Sequence, residues 1–294
     1  MEIYKNILVP YDFREMSEIT LSQSYNLARL TGLDITLLHV YEDSKAINKI
    51  FGDEKKEEEV IRKIEAELQE VAEKAKAESG IYIHIMVAKG RVHSKIVEVA
   101  DMIQAKYIVM SLSSTYESDP DKRMVGANLS RVIRTAKCPV LTIGSKTNHD
   151  GCRSILLPLD LSKQTRHKVT WAIEVAKLFK AKIKVVSALW SKNNEDIVTQ
   201  IRAQLIQVRR FIEEKGIEVT AEIIESEHGS RTLIPAILEY ANKEGDVDLI
   251  MIMTQQEVGW VEFFVGSHAT EIIRSSDIPV MSIIPKDTGE RLAR

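Results

Sequence analysis

The chain has 294 residues, of which 44% are hydrophobic and 28% charged, and its formal net charge is −3. This length predicts two domains, each large enough to bury a core without disulfides or a structural metal. A nearly neutral charge argues against a nucleic-acid partner. We expect a cytoplasmic protein without membrane contact, because no signal core and no apolar run of about 18 residues is present.

The same unit occurs twice along the chain. The segment ILVPYD, from Ile7, matches ILLPLD, from Ile155, at a spacing of 148 residues. Later in each unit, VGANLSRVIRTAKCPV, from Val125, matches VGSHATEIIRSSDIPV, from Val265, at a spacing of 140. Both ends of one unit recur in the same order, which indicates a tandem duplication. The polar run KTNHDGCR predicts a linker, so we divide the chain into a first domain, residues 1–146, and a second, residues 147–294.

Each unit alternates predicted strands and helices. Continuous apolar runs such as ILV and YIVM are typical of parallel strands that are covered by helices on both faces. The run IEVTAEI, residues 217–223, alternates apolar and polar side chains instead, which predicts an edge strand. Apolar positions at helical spacing predict long helices around residues 61–75 and 197–212. The strands of the first unit are predicted at residues 7–9, 35–40, 81–87, 107–110 and 140–143, and we predict two α/β sandwiches, each with a five-stranded parallel sheet.

The motifs of both units, taken in order, resemble the universal stress protein family. In the first half they are ILVPYD, LLHV, YIVM and VGANLSRVIRTAKCPVLTI; in the second they are ILLPLDLS, LIMIM and VGSHATEIIRSSDIPVMSI. The resemblance implies two Rossmann-like, HUP-type three-layer sandwiches with strand order 3-2-1-4-5. It also implies that the last strands of the two domains pair, as an intramolecular pseudo-dimer. Whether two chains then form a homodimer, and which proteins they bind, stays open.

The same resemblance directs attention to a nucleotide cleft. Ligands of open α/β sheets lie beyond the carboxyl ends of the strands, where the strand order reverses. ATP-binding family members carry Gly-x-x-Gly after the fourth strand and Gly-Ser or Gly-Thr further on, which suits phosphate binding at a helix start. This chain departs from that pattern. Ser111 and Ser114 stand at the glycine positions of the first half, Ala127 follows Gly126, and the second half has Thr254 and Glu257 there.

These departures affect how many phosphates a ligand can have and which half is expected to bind it. A β-carbon prevents close approach to a phosphate and a carboxylate repels it, so we expect adenosine, AMP or ADP to be accommodated more easily than ATP. The second half keeps Gly266–Ser267 and is the favoured site. Asp12 and Asp160 match the family aspartate beside adenine and ribose, or they serve as cap or turn residues of the first helix. The resemblance implies these candidate positions: Asp12, Val40, Ser111, Gly126 and Asn128 in the first domain, and Pro158, Asp160, Met253, Thr254, Gly266, Ser267 and His268 in the second.

No catalytic constellation is evident. The chain lacks a nucleophile elbow, a P-loop and a zinc motif. Its two cysteines, Cys138 and Cys152, are expected to be reduced thiols. We expect no metal and no required cofactor, with ATP, ADP or AMP as candidate ligands of a non-enzymatic stress-response binding or sensing module.

Two alternatives to this hypothesis stay open. One is a weak ATPase or nucleotide-dependent switch that uses Gly266, Ser267 and Asp160. The other is a ligand-free scaffold that acts through the aromatic side chains Trp260, Phe263 and Phe264. The corresponding loop of the first half, STYESDPDKRM, is polar and is expected to be mobile.

Overall fold

A computed structural model describes residues 6–42, 54–145, 150–160, 165–190, 195–226, 233–253 and 265–283. In these ranges strands and helices alternate, except where the two units join and two described strands follow each other without a described helix between them. The strands are β1 (Asn6–Pro10), β2 (Asp34–Tyr41), β3 (Ile83–Lys89), β4 (Tyr107–Ser111), β5 (Val140–Ile143), β6 (Ser154–Pro158), β7 (Lys182–Trp190), β8 (Val219–Ser226), β9 (Val247–Met253) and β10 (Val280–Ile283). The helices are α1 (Glu15–Thr31), α2 (Glu54–Ser79), α3 (Val92–Met102), α4 (Ala127–Thr135), α5 (Thr165–Phe179), α6 (Glu195–Glu213), α7 (Leu233–Glu244) and α8 (Val265–Ser275).

The ten strands of the described residues belong to one sheet, in the order β3-β2-β1-β4-β5-β10-β9-β6-β7-β8. Each half is parallel and has the order 3-2-1-4-5, which confirms the predicted fold class. The two halves meet where β5 pairs antiparallel with β10, and there Leu141 lies opposite Met281. The predicted pairing of the last strands is therefore confirmed.

The helices cover both faces of this sheet and enclose a core on each. Because successive strand side chains point to opposite faces, Ile7 and Val9 pack in one core and Leu8 in the other. Each core contains residues from both halves. Strands buried on two faces need no polar positions, which explains the continuous apolar runs. The alternating segment forms β8 at an edge of the sheet, as predicted.

A buried lysine joins β7 to the end of α7 and to the residue that precedes β9. Lys184, on β7, is 9% exposed, and its ammonium donates to Glu244 at the end of α7 and lies 2.9 Å from Asp246. Burial disfavours the ammonium, yet the hydrogen bonds and charges of the two carboxylates raise the pKa of Lys184 overall. Burial would likewise raise the pKa of Asp246, but the hydrogen bond and charge of Lys184 lower it.

This ion pair predicts a dependence of stability on pH. A carboxyl whose pKa is lower in the folded chain stabilises the fold above its unfolded value, about 3.9, and loses that contribution as the pH falls through the folded value. We expect Lys184→Met to lower the urea midpoint at pH 6, and the difference from the wild type to shrink below about pH 4. The matched control is Lys182→Met, whose partner Glu218 is exposed. A pH-independent difference for Lys184→Met would contradict the ion-pair account.

Candidate functional site

Each half has a cleft at the carboxyl ends of its strands. The first lies at the ends of β1, β2 and β4 and has a volume of 320 Å³. The second lies at the corresponding ends of β6, β7 and β9 and has a volume of 140 Å³. Both clefts lie between the first and fourth strands of their half, where the strand order reverses and where open α/β sheets bind ligands.

The first cleft brings together every candidate position of the first domain. Asp12 follows β1, Val40 and Ser111 lie near the ends of β2 and β4, and Gly126 and Asn128 lie at the start of α4. The remaining wall is largely apolar and includes Leu38, Val92, Ile96 and Met110. An apolar wall with a few convergent polar groups is the usual composition of a small-molecule site.

Asp12 also serves as a turn residue before α1, which was the second interpretation of its position in the sequence. Its Oδ1 accepts hydrogen bonds from the Ser17 hydroxyl and from the Arg14 backbone N–H, the latter at 3.2 Å. Its Oδ2 lies 3.9 Å from the Arg14 guanidinium. The carboxylate is half-exposed and lines the cleft while it fixes the turn into α1. The turn interaction therefore holds Asp12 at the cleft.

Different side chains fix the ends of β1 and β6. In the first half the Nδ1 of His39 is 2.8 Å from the carbonyl oxygen of Tyr11. In the second half the hydroxyl of Ser187 donates to the carbonyl oxygen of Leu159 at 2.9 Å. These residues occupy matching positions at the 148-residue spacing of the repeat. The loops that carry Asp12 and Asp160 are thus held in the same way by an imidazole and by a hydroxyl.

The loop between β4 and α4 bonds to its own backbone. The N–H of Gly126 donates to the carbonyl oxygen of Leu112 at 2.9 Å, and a β-carbon on Gly126 would lie 3.3 Å from the same oxygen. The Ser113 hydroxyl donates to the carbonyl of Thr115 at 2.6 Å and accepts from its N–H at 3.2 Å. The glycine is therefore favoured by close backbone approach, with or without a ligand.

The polar loop STYESDPDKRM is docked, contrary to the expectation of a mobile segment. Arg123 is 4% exposed, and its guanidinium donates to the carbonyls of Glu117, Ser118 and Ser276 and to the carboxylate of Asp277, the last at 2.6 Å. Ser276 and Asp277 directly follow α8 in the second half. One arginine thus ties the loop beside the first cleft to the other half of the chain. Composition alone gives no signal of this contact, because the partners lie 153 and 154 residues away.

The second cleft contains three of the seven candidate positions of the second domain. Pro158, Asp160 and Met253 line it, together with Lys168 and a wall of aliphatic side chains. Gly266, Ser267 and His268 fall in the first turn of α8, but their side chains lie outside the described residues. Thr254 and the aromatic segment with Trp260, Phe263 and Phe264 also lie outside them.

Strand register corrects one sequence alignment between the halves. Ser111 lies opposite Ile143 in β5, and Met253 lies opposite Ile283 in β10. The counterpart of Ser111 is therefore Met253, whereas the sequence motifs aligned it with Thr254. The sequence contains a signal for this correspondence. The apolar run LIMIM of β9 is one residue longer than the run YIVM of β4, so its last residue, Met253, matches the residue after YIVM, which is Ser111. A hydroxyl in the first cleft thus corresponds to a buried thioether in the second.

Other groups give no sign of chemistry in the described part of the chain. Cys138 and Cys152 are free thiols, and burial raises the pKa of Cys152 to about 12, which disfavours the reactive thiolate. No group of three or more His, Cys, Asp or Glu residues that could hold a metal occurs among the described residues. Within the same ranges, no helix is both long and apolar enough to cross a membrane.

Two parallel half-sheets, each with a cleft at its strand-order reversal, define a duplicated, doubly wound α/β protein. The sequence matches the universal stress protein family over residues 3–144 and again over residues 151–283, and the chain belongs to that family.

Individual proteins are similar to all or part of this chain. A curated universal stress protein of Methanocaldococcus jannaschii is 28% identical over 144 residues, which are 48% of this chain and 82% of that protein. The crystal structure of a universal stress protein from Archaeoglobus fulgidus has a TM-score of 0.71 at 21% identity and covers 95% of this chain and 98% of its own. A second A. fulgidus structure, solved in complex with dAMP, is similar to 46% of this chain and covers 98% of its own, at 21% identity and a TM-score of 0.36.

Proposed function

We propose that the chain is a non-enzymatic stress-response binding module whose first domain, residues 1–146, binds adenosine or an adenine nucleotide with few phosphates. The observation that carries this proposal is the convergence of Asp12, Val40, Ser111, Gly126 and Asn128 on one cleft of 320 Å³. Pockets for small molecules start at about 300 Å³, which suits a nucleoside-sized ligand. The sequence favoured the second domain, but the larger and more polar cleft lies in the first.

The internal bonding of the phosphate loop supports a ligand with few phosphates. The Gly126 N–H and the Ser113 hydroxyl, which would otherwise be available to phosphate oxygens, bond to Leu112 and Thr115. Arg131 and Arg134 border an open hollow beside Gly126, but both side chains are exposed. An exposed ion pair contributes about 0–1 kcal/mol, so these arginines add little for a second or third phosphate.

The chemistry of the cleft supports binding rather than turnover. Among the described residues that line it, Asp12 is the one carboxylate, and its Oδ1 accepts hydrogen bonds from the Ser17 hydroxyl and the Arg14 N–H. A general base must be able to reach the proton that it removes. A carboxylate held in a turn fits the recognition of a ribose hydroxyl better than the activation of water.

Calorimetric titration of the full chain with adenosine, AMP, ADP and ATP tests this proposal. We expect one nucleotide per chain and an AMP affinity at least equal to that of ATP, with or without magnesium. Magnesium-dependent ATP binding at two sites per chain, tighter than AMP, would overturn it.

A swap between the two clefts tests the role of Ser111. We expect Ser111→Met, which copies Met253 of the second cleft, to weaken AMP binding at least tenfold, or about 1.4 kcal/mol, because it removes a hydroxyl and fills the cleft. The reciprocal variant Met253→Ser is the control and is expected to leave AMP affinity unchanged. Equal AMP affinity of Ser111→Met and the wild type, with both folded by circular dichroism, would remove Ser111 from the site.

A further inference from the structure

The second cleft differs in chemistry from the first, and we propose that it binds a free α-amino acid with an apolar side chain. Its apolar wall suits the side chain of such a ligand, and a cation and an anion lie 3.8 Å apart beside that wall. This inference is independent of the nucleotide proposed for the first cleft.

The walls of the second cleft select an apolar group. Ten of the twelve described residues that line it are apolar, and they come from five elements of the second half and the loop after β6: Pro158, Leu159, Ala188, Leu233, Ile234, Ile237, Ile252, Met253, Ala269 and Ile272. Its volume of 140 Å³ is close to that of an apolar protein cavity of about 150 Å³ that accommodates benzene. This space suits the side chain of leucine, isoleucine, methionine or phenylalanine and is small for a nucleoside.

The two remaining lining residues are a charge pair. The Nζ of Lys168, on α5, lies 3.8 Å from the Oδ1 of Asp160, which is beyond hydrogen-bond distance. The Lys168 side chain is 13% exposed, whereas that of Asp160 is half-exposed. A cation that is largely removed from water gains from an added anionic partner, because attraction between charges strengthens as the local dielectric falls.

This cation is specific to the second half. At the 148-residue spacing of the repeat, the residue that corresponds to Lys168 is Thr20. Thr20 is 1% exposed and is not among the residues that line the first cleft. Among the described residues, only the second cleft is therefore lined by both members of a charge pair, because Arg14, the partner of Asp12, does not line the first.

A zwitterion complements this arrangement. The ammonium and carboxylate of an α-amino acid are covalently held on one carbon, about 3 Å apart, a spacing similar to that of the protein pair. The ligand carboxylate then faces Lys168, the ligand ammonium faces Asp160, and the side chain occupies the apolar wall. A carboxylic acid alone would face Asp160 with like charge, and an amine alone would face Lys168 in the same way.

Calorimetric titration of the full chain with L-leucine tests the inference, with three analogues that each lack one feature. They are 4-methylpentanoate without the ammonium, 3-methylbutylamine without the carboxylate, and glycine without the side chain. We expect one leucine per chain and at least tenfold weaker binding of every analogue. Because the analogues use the unaltered chain, this comparison does not depend on the folding of any variant. No leucine binding, or an analogue that binds as tightly as leucine, would overturn the proposal.

Two variants test whether Lys168 and Asp160 contact the bound leucine. We expect Lys168→Met and Asp160→Asn each to weaken leucine binding at least tenfold. Lys177→Met, which removes an exposed lysine of the same helix, is the matched control and should leave it unchanged. Leucine and AMP should bind together without competition. Displacement of leucine by AMP would show that leucine had occupied a nucleotide cleft, and this would overturn the separate site while leaving the nucleotide proposal in place.

Discussion

Met281→Asp is expected to lower the free energy of unfolding by more than about 4 kcal/mol. Met281 is fully buried and lies directly opposite Leu141 at the antiparallel pairing of β5 and β10. It belongs to a core that contains residues of both halves, so a carboxylate there would be an unpaired charge at the center of the sheet. Urea denaturation followed by circular dichroism measures the change.

Met281→Leu is the control for this substitution. It preserves volume and polarity and should cost less than about 1.5 kcal/mol. If Met281→Asp unfolded within 1 kcal/mol of the wild type, the pairing of β5 with β10 would not be a buried part of the fold in solution.

Arg123→Ala is expected to lower the free energy of unfolding by about 3 kcal/mol. The substitution removes hydrogen bonds to three backbone carbonyls and an ion pair with Asp277, and it leaves those groups without their partner. Leaving buried acceptors unsatisfied costs more than the bonds themselves contribute. Asp277 is half-exposed, so water stabilises its carboxylate after the arginine is removed. The loss of stability should therefore lie below the largest values for fully buried ion pairs, about 5 kcal/mol.

Two further substitutions separate the causes of that loss. Arg123→Lys keeps the positive charge but loses the planar set of guanidinium N–H donors. We therefore expect a loss of stability between those of the wild type and Arg123→Ala. Arg134→Ala removes an exposed arginine that bonds within its own helix to Ser130, so it should change stability by less than about 0.5 kcal/mol. If Arg123→Ala had as small an effect as Arg134→Ala, the loop would not be docked on the second half.

Much of the fold could be predicted from the sequence because its signals are local and repeated. The duplicated motifs at Ile7 and Ile155 defined the unit, and continuous apolar strands required helices on both faces. Once the strand order is 3-2-1-4-5, residues that follow the first, second and fourth strands must share one edge of the sheet. That is why Asp12, Val40 and Ser111 line one cleft.

The rest depended on contacts that no local pattern encodes. Arg123 lies in a polar loop, and its burial follows from carbonyls that only the other half supplies. Lys168 has the spacing of an ordinary helix residue, and its place in a cleft follows from the packing of α5 against the ends of the strands. The equivalence of Ser111 and Met253 emerged only from the pairing register with β5 and β10.

The most direct test of the central claim is a crystal structure of the full chain grown with saturating AMP. The account predicts nucleotide density in the first cleft, against Val40 and Ser111 and beside Asp12. AMP in the second cleft with the first one empty, or AMP in neither, would contradict it.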